Sequence, residues 1–152
     1  MEGFPISFSN ILEISFENAD ISFQLDNVEL YRSWLVQVIE LEKAHVAELN
    51  YVFCSDDYLH KLNVQYLDHN TLTDIITFPI NENPIQSDLF ISIDRVRDNA
   101  KDFGLSFDEE LKRVIIHGLL HLLGFGDKTA AEQKEMRSME DRYIQKFPSG
   151  KV

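Results

Sequence analysis

The sequence predicts an α+β fold, with about four strands in a mixed sheet and about five helices packed on it. Three observations carry that prediction. Apolar and polar residues alternate in short pieces from Ile6 to Leu25, helical spacing takes over after Asp26, and two capping boxes punctuate the C-terminal third. No repeat, low-complexity run or linker interrupts the 152 residues, so 1–152 reads as one domain.

Within Ile6 to Leu25, the pieces Ile-Ser-Phe-Ser, Leu-Glu-Ile-Ser-Phe and Ile-Ser-Phe-Gln-Leu have strand periodicity. Asp26 and Asn27 offer an N-cap, and Leu30, Trp34, Leu35, Val38 and Leu41 then recur at helical spacing. Ala47 to Cys54 reads as a strand, and Ser55 to Tyr66 as a short helix with Leu59, Leu62 and Tyr66 inward. Asp74 to Pro79 and Leu89 to Ile93 are β-rich runs separated by the turn-forming stretch Asn81-Glu82-Asn83-Pro84. Asp94 to Phe103 is a helix ended by Gly104, a left-handed cap. Ser106 to Glu109 is a capping box opening a helix that runs to Gly124. Thr129 to Glu132 is a second one, and the last helix carries Met136, Met139, Tyr143 and Phe147 on one stripe.

Composition narrows the function classes. Apolar residues make up 44% and charged residues 26%, which fits a globular chain and not a disordered one. The single cysteine, Cys54, excludes an intrachain disulfide or a cysteine zinc cluster and suits a reducing, cytoplasmic setting. The first basic residue is Arg32, so no positively charged leader is readable. The longest apolar stretch, Val114 to Phe125, is roughly half a membrane span and carries two histidines, which speaks against a membrane partner. The net charge of −12 weighs against a protein that coats DNA. All of that acidity lies in residues 1–90, with three Lys/Arg against fifteen Asp/Glu; residues 91–152 hold eleven of each. A basic patch in the second part stays open.

The chemistry concentrates on one helix. His117 and His121 stand four residues apart, so both imidazoles project from one face. Their neighbours are Val, Ile and Leu, where an unpartnered imidazole would cost several kcal/mol. Gly124 stops the helix and Asp127 sits in the short connector behind it, able to fold back toward both histidines. Three protein ligands with an open position is the pattern of one catalytic Zn2+, although nickel, cobalt or iron also suit this donor set. The alternative is a pair of core histidines with ordinary polar partners, and Asp127 a turn residue. If the three residues hold a metal, the sheet and helices are expected around its cleft. A zinc protease of the H-E-x-x-H type needs a glutamate after the first histidine, and here that residue is Gly118. Water activated by the metal against a phosphodiester fits better, with no separate catalytic side chain assigned.

The segment His117-Gly-Leu-Leu-His121-Leu-Leu-Gly-Phe-Gly-Asp127 resembles the H-G-x-L-H-L-x-G-Y-D-H signature of the YbeY family, bacterial metal-dependent endoribonucleases of ribosomal RNA maturation. Leu62-Asn-Val-Gln-Tyr66, Thr73-Asp74-Ile-Ile-Thr-Phe78-Pro79 and Ser87-Asp88-Leu-Phe-Ile-Ser92 are similar to its other motifs, and Glu109 to Leu111, Glu132, Met136 and Glu140 also fit. The resemblance implies one zinc ion on His117, His121 and Asp127, and single-stranded RNA as substrate. It further implies 16S rRNA 3′-end maturation and ribosome quality control, with the ribosome or small-subunit proteins as partners. Two departures stand out. The third ligand is aspartate where most members have histidine, which predicts activity shifted to higher pH. The family arginine after the tyrosine is Leu67 here; Lys128, Arg95, Arg97 and Arg113 are candidate replacements.

His69 is a loop residue that could face the cleft, and His45 and His60 read as surface residues. Asp74 and Asp88 are candidates to orient an imidazole N–H. Trp34 and the phenylalanines read as core. Two other functions compete: a ribosome-associated assembly factor whose metal is chiefly structural, and a metal-dependent hydrolase of another substrate, peptides included.

Overall fold

The computed structural model describes residues 12–67 and 73–148. Strands β1 (Glu13–Asn18), β2 (Val46–Cys54), β3 (Ile75–Glu82) and β4 (Ile85–Ser92) alternate with helices α1 (Val28–Leu41) and α2 (Asp56–Leu67), and three helices follow. These are α3 (Ile93–Phe103), α4 (Phe107–Leu122) and α5 (Ala130–Gln145). The sheet order is β1-β2-β4-β3, with β1, β2 and β4 parallel and β3 antiparallel to β4. The expected four-stranded mixed sheet with five helices is therefore what the described residues form. Among them no helix is long and apolar enough to cross a membrane.

Position in the sheet explains the strand sequences. β2 is central, and Tyr51 to Cys54 are buried without alternation, as expected of a strand covered on both faces. β3 is an edge strand whose second half is exposed, the position where Pro79 can be tolerated. Both predicted capping boxes are made, Ser106 with Glu109 and Thr129 with Glu132, and Gly104 ends α3 in the left-handed conformation.

The core places α4 between the sheet and α5. Ile115, Ile116, Leu119 and Leu120 are wholly buried, and the Tyr51 hydroxyl donates to the Ile115 carbonyl at 3.1 Å. Trp34 is also wholly buried, and its indole N–H donates to the Tyr143 carbonyl at 2.7 Å, tying α1 to α5. Gly118 lets α4 lie against the strands: a Cβ there would sit 2.6 Å from Ile75 Cδ1 and 2.8 Å from Leu89 Cδ2.

Several expectations are corrected. Ile21 to Leu25 is not a strand: the Asn18 side-chain amide donates to the Phe23 carbonyl at 2.8 Å, turning the chain off the sheet while Phe23 still packs on Phe53. Residues 6–11 lie outside the described residues. Asn27 precedes α1 at φ 59° with no side-chain cap. The buried stripe of α1 includes Tyr31 and Ile39, and Leu41 is exposed, because the helix turns its aromatic row toward Phe16 and Phe147. On α2 the inward polar residue is Asn63, whereas Tyr66 is 61% exposed and packs edge-on against Phe78. The predicted turn is shorter, since Asn81 and Glu82 continue β3 past an irregularity after Pro79. His60 is half-buried on α2.

Candidate metal centre

His117 and His121 sit one turn apart on α4, with ring centroids 4.6 Å apart and planes at 82°. Both are partly open to solvent where the flanking Ile116, Leu119 and Leu120 are buried. After α4 the chain reverses through Gly124 at φ 107°, a conformation that favours glycine. Asp127 then returns over the helix end. Its Oδ2 lies 3.4 Å from His117 Nε2 and 3.2 Å from His121 Nε2. One ligand atom from each of the three residues lies within 4.8 Å of the others, so the group could hold a metal ion. For a tetrahedral ion with bonds of about 2.1 Å, ligand atoms stand about 3.4 Å apart, which the two measured separations match.

Local bonds fix the connector that carries Asp127. Glu132 Oε1 accepts the backbone N–H groups of Lys128 and Thr129 at 3.0 and 3.1 Å, and the Gln133 amide donates to the Asp127 carbonyl at 3.1 Å. Gly126 makes room for this clamp, because a Cβ there would come 2.9 Å from the Glu132 carboxyl carbon. The capping box that starts α5 thus also positions the third member of the group.

Behind His117 stands Glu140, almost fully buried on α5. The Nδ1–H of His117 donates to Glu140 Oε2 at 2.6 Å. Glu140 Oε1 accepts from Arg113 at 2.9 Å, and Arg113 also reaches Asp141 at 2.8 Å. With the proton held on Nδ1, the Nε2 lone pair is left facing Asp127. Burial would push the His117 pKa down, but the Glu140 hydrogen bond and the charges of Glu140, Asp74 and Asp127 outweigh it, holding the pKa above the usual histidine value. Burial pushes the Asp74 carboxyl up, opposed by the charge of His117. Burial also raises Glu110, two turns up the same helix, to about 7, with Asp74 adding and Arg113 subtracting.

Two cavities flank the group. The larger, about 760 Å³, lies between α2, β3 and α4; Leu67, Asp74, Glu82, His117, His121 and Asp127 are among its lining. Among the described residues no lysine or arginine lines it. The second, about 430 Å³, lies between α3, α4 and α5 and shares Asp74, His117 and Asp127 with the first.

Other residues singled out by sequence fall differently. Asp88 accepts from the Asn50 amide at 3.4 Å within the sheet and lines neither cavity, so it stands behind no imidazole; Asp74 does line both. Glu140 takes the orienting position, and the signal for it was a carboxylate on the otherwise buried stripe Met136–Glu140–Tyr143. Of the possible replacements for arginine at position 67, Arg95 is bound to Asp56 at 2.6 Å and Arg97 lies over the Phe107 ring. Arg113 is engaged by two carboxylates and Lys128 is exposed beside Asp127. His45 is exposed, and His69 lies outside the described residues.

The sequence model of the family described as Endoribonuclease YbeY matches residues 13–148. The chain is 52% identical over 131 residues to the Endoribonuclease YbeY of Flavobacterium johnsoniae, covering 86% of this chain and 94% of that one. To the protein of the same name from Christiangramia forsetii it is 46% identical over 136 residues, covering 89% and 94%. A solution structure of a protein from Thermotoga maritima is similar at a TM-score of 0.59 and 26% identity, covering 88% of each chain.

Proposed function

Because the chain belongs to the endoribonuclease YbeY family, we propose that residues 1–152 act as one zinc-dependent domain that cuts single-stranded RNA in the cytoplasm. His117, His121 and Asp127 are then the protein ligands of one ion. The RNA is the 16S rRNA precursor at its 3′ end, and the ribosome is the setting in which maturation and quality control take place. Family membership makes the chain a nuclease, and so a hydrolase.

The observation that carries the metal reading is the convergence of two imidazole Nε2 atoms on one carboxylate oxygen at the floor of an open cleft. Two nitrogens and one oxygen are a donor set that zinc accepts. When bound, such an ion polarises a phosphodiester oxygen and lowers the pKa of water. The chain's own residues do the rest. Glu140 fixes the tautomer and rotation of His117, Arg113 holds Glu140 in place, and Glu132 and Gln133 hold the Asp127 connector. The residue after His117 is Gly118, which lines the cleft but has no side chain to act as a proton acceptor there. This speaks against the peptidase alternative. The absence of lysine and arginine from the larger cavity, among the described residues, is the one observation favouring an assembly factor with a structural metal.

The test offers the purified protein a single-stranded RNA oligonucleotide, its duplex and an unstructured peptide, with zinc and with a chelator. Cleavage of the single strand alone, abolished by the chelator and by His117→Ala, is expected. Bound metal without RNA cleavage at any pH would favour the assembly factor, and peptide cleavage alone would favour the other hydrolase.

A further inference from the structure

The second cavity has the parts of a nucleotide subsite. Phe103, the last residue of α3, is 62% exposed on its wall and contacts no other ring among the described residues. Glu110 of α4 is only 3% exposed, lines the same cavity, and its Oε1 has no hydrogen-bond partner. An unpartnered buried carboxyl is costly unless something else supplies the partner. Arg137 of α5 is exposed at the cavity and close enough to Glu110 to act on it electrostatically, yet it forms no ion pair among the described residues. Asn99 adds a side-chain amide.

Each part has a counterpart in single-stranded RNA. Unstacked bases stack on exposed aromatic rings, their Watson–Crick edges present N–H donors, and their phosphates take guanidinium groups. The two cavities also differ in charge. The one against β3 has no lysine or arginine among the described residues; this one has Arg137 beside Asp74, Glu110, Asp127 and Glu140, while Arg113 is taken up by Glu140 and Asp141. A polyanionic strand entering the site therefore finds its cation on the α5 side. We propose that the cavity between α3, α4 and α5 binds the nucleotide next to the cleaved linkage, its base stacked on Phe103 with an N–H toward Glu110 and its phosphate on Arg137. This rests on the RNA-cleaving reading above and adds where the substrate sits.

Titration calorimetry of the zinc-loaded protein with the four ribonucleosides and their monophosphates tests it, alongside kcat and KM on a single-stranded RNA oligonucleotide. Nucleosides lack the phosphate and so report the base site without contact to the metal. Phe103→Ala is expected to weaken nucleoside binding about tenfold, as loss of a stacking platform does, and to raise KM with kcat largely kept. Arg137→Ala is expected to erase the preference for monophosphates over nucleosides and to reduce the salt dependence of RNA binding by about one unit of slope. Glu110→Gln is expected to reorder the four bases. Both Phe103 and Arg137 are exposed, so their variants fold. Nucleoside affinity and KM unchanged in Phe103→Ala and Arg137→Ala would overturn the proposal, as would no nucleoside binding at millimolar concentration. If the parent protein cuts no RNA, the nuclease reading fails, and the nucleoside titrations still decide whether the subsite exists.

Discussion

The two sides of α4 at the level of His117 are built from different material. Toward α5 the imidazole is tied down by Glu140 at 2.6 Å, and Glu140 is tied in turn to Arg113 and, through it, to Asp141. Toward β3 the same helix rests on aliphatic side chains through Gly118 and opens into a cavity of about 760 Å³ whose described lining has no lysine or arginine. One side sets the direction of the ligand and holds Arg113 and Arg137 among four carboxylates; the other leaves wider room. The imidazole is aimed where hydrogen bonds constrain it, and the wider opening lies where they do not.

Breaking the constrained side should have the largest effect. Glu140→Ala leaves the partly buried Arg113 with Asp141 alone and frees His117 to rotate. Metal affinity should fall by about 10–100-fold and stability by about 3 kcal/mol, read by chelator competition and urea melts. Unchanged affinity would mean that the hydrogen bond is incidental. Next in size is Glu110→Gln on the same side. Burial lifts the Glu110 pKa to about 7, so its contribution to stability is fully present below about pH 4.5, where the unfolded group is also protonated. That contribution is lost as pH rises toward 7. The glutamine variant should therefore gain on the parent between pH 4.5 and 7, by on the order of 2 kcal/mol at the upper end, and then run parallel. Parallel denaturant midpoints across that whole range would contradict it.

The open side should respond less. Gly118→Ala pushes a methyl group against Ile75 and Leu89, and about 1–2 kcal/mol of stability should go while metal affinity is retained. Loss of metal together with stability would show that the β3 contact also aims the histidines. The smallest effect is expected from Leu67→Arg, which adds a cation to a cavity lined without one among the described residues. KM for single-stranded RNA should fall about threefold, with a steeper dependence on salt. A rise in KM would place the strand elsewhere.

What the sequence made legible was mostly local. Capping boxes, the Gly104 stop and the His117–His121 spacing depend on residues within one or two turns of each other, and all three appear as read. The return of Asp127 was readable as a possibility, because the connector is short and bounded by glycine and an N-cap. Long-range pairings were less visible. Glu140 reaches His117 across 23 positions, and only the packing of α5 on α4 puts them together. Asp88 and Asp74 sat in equivalent β-rich motifs, yet one faces Asn50 within the sheet and the other faces the cleft. The alternation at Ile21 to Leu25 was real as an inward-outward pattern, but with Asn18 bonded to Phe23 the segment had no strand to pair with.

Metal content of the parent protein and of His117→Ala, His121→Ala and Asp127→Ala, measured by mass spectrometry under native conditions with RNA cleavage followed on the same samples, bears most directly on the account. It predicts one divalent ion per parent chain, little or none in any of the three variants, and cleavage that follows the ion. Variants that keep a full equivalent of metal, or that cut RNA without it, would contradict it.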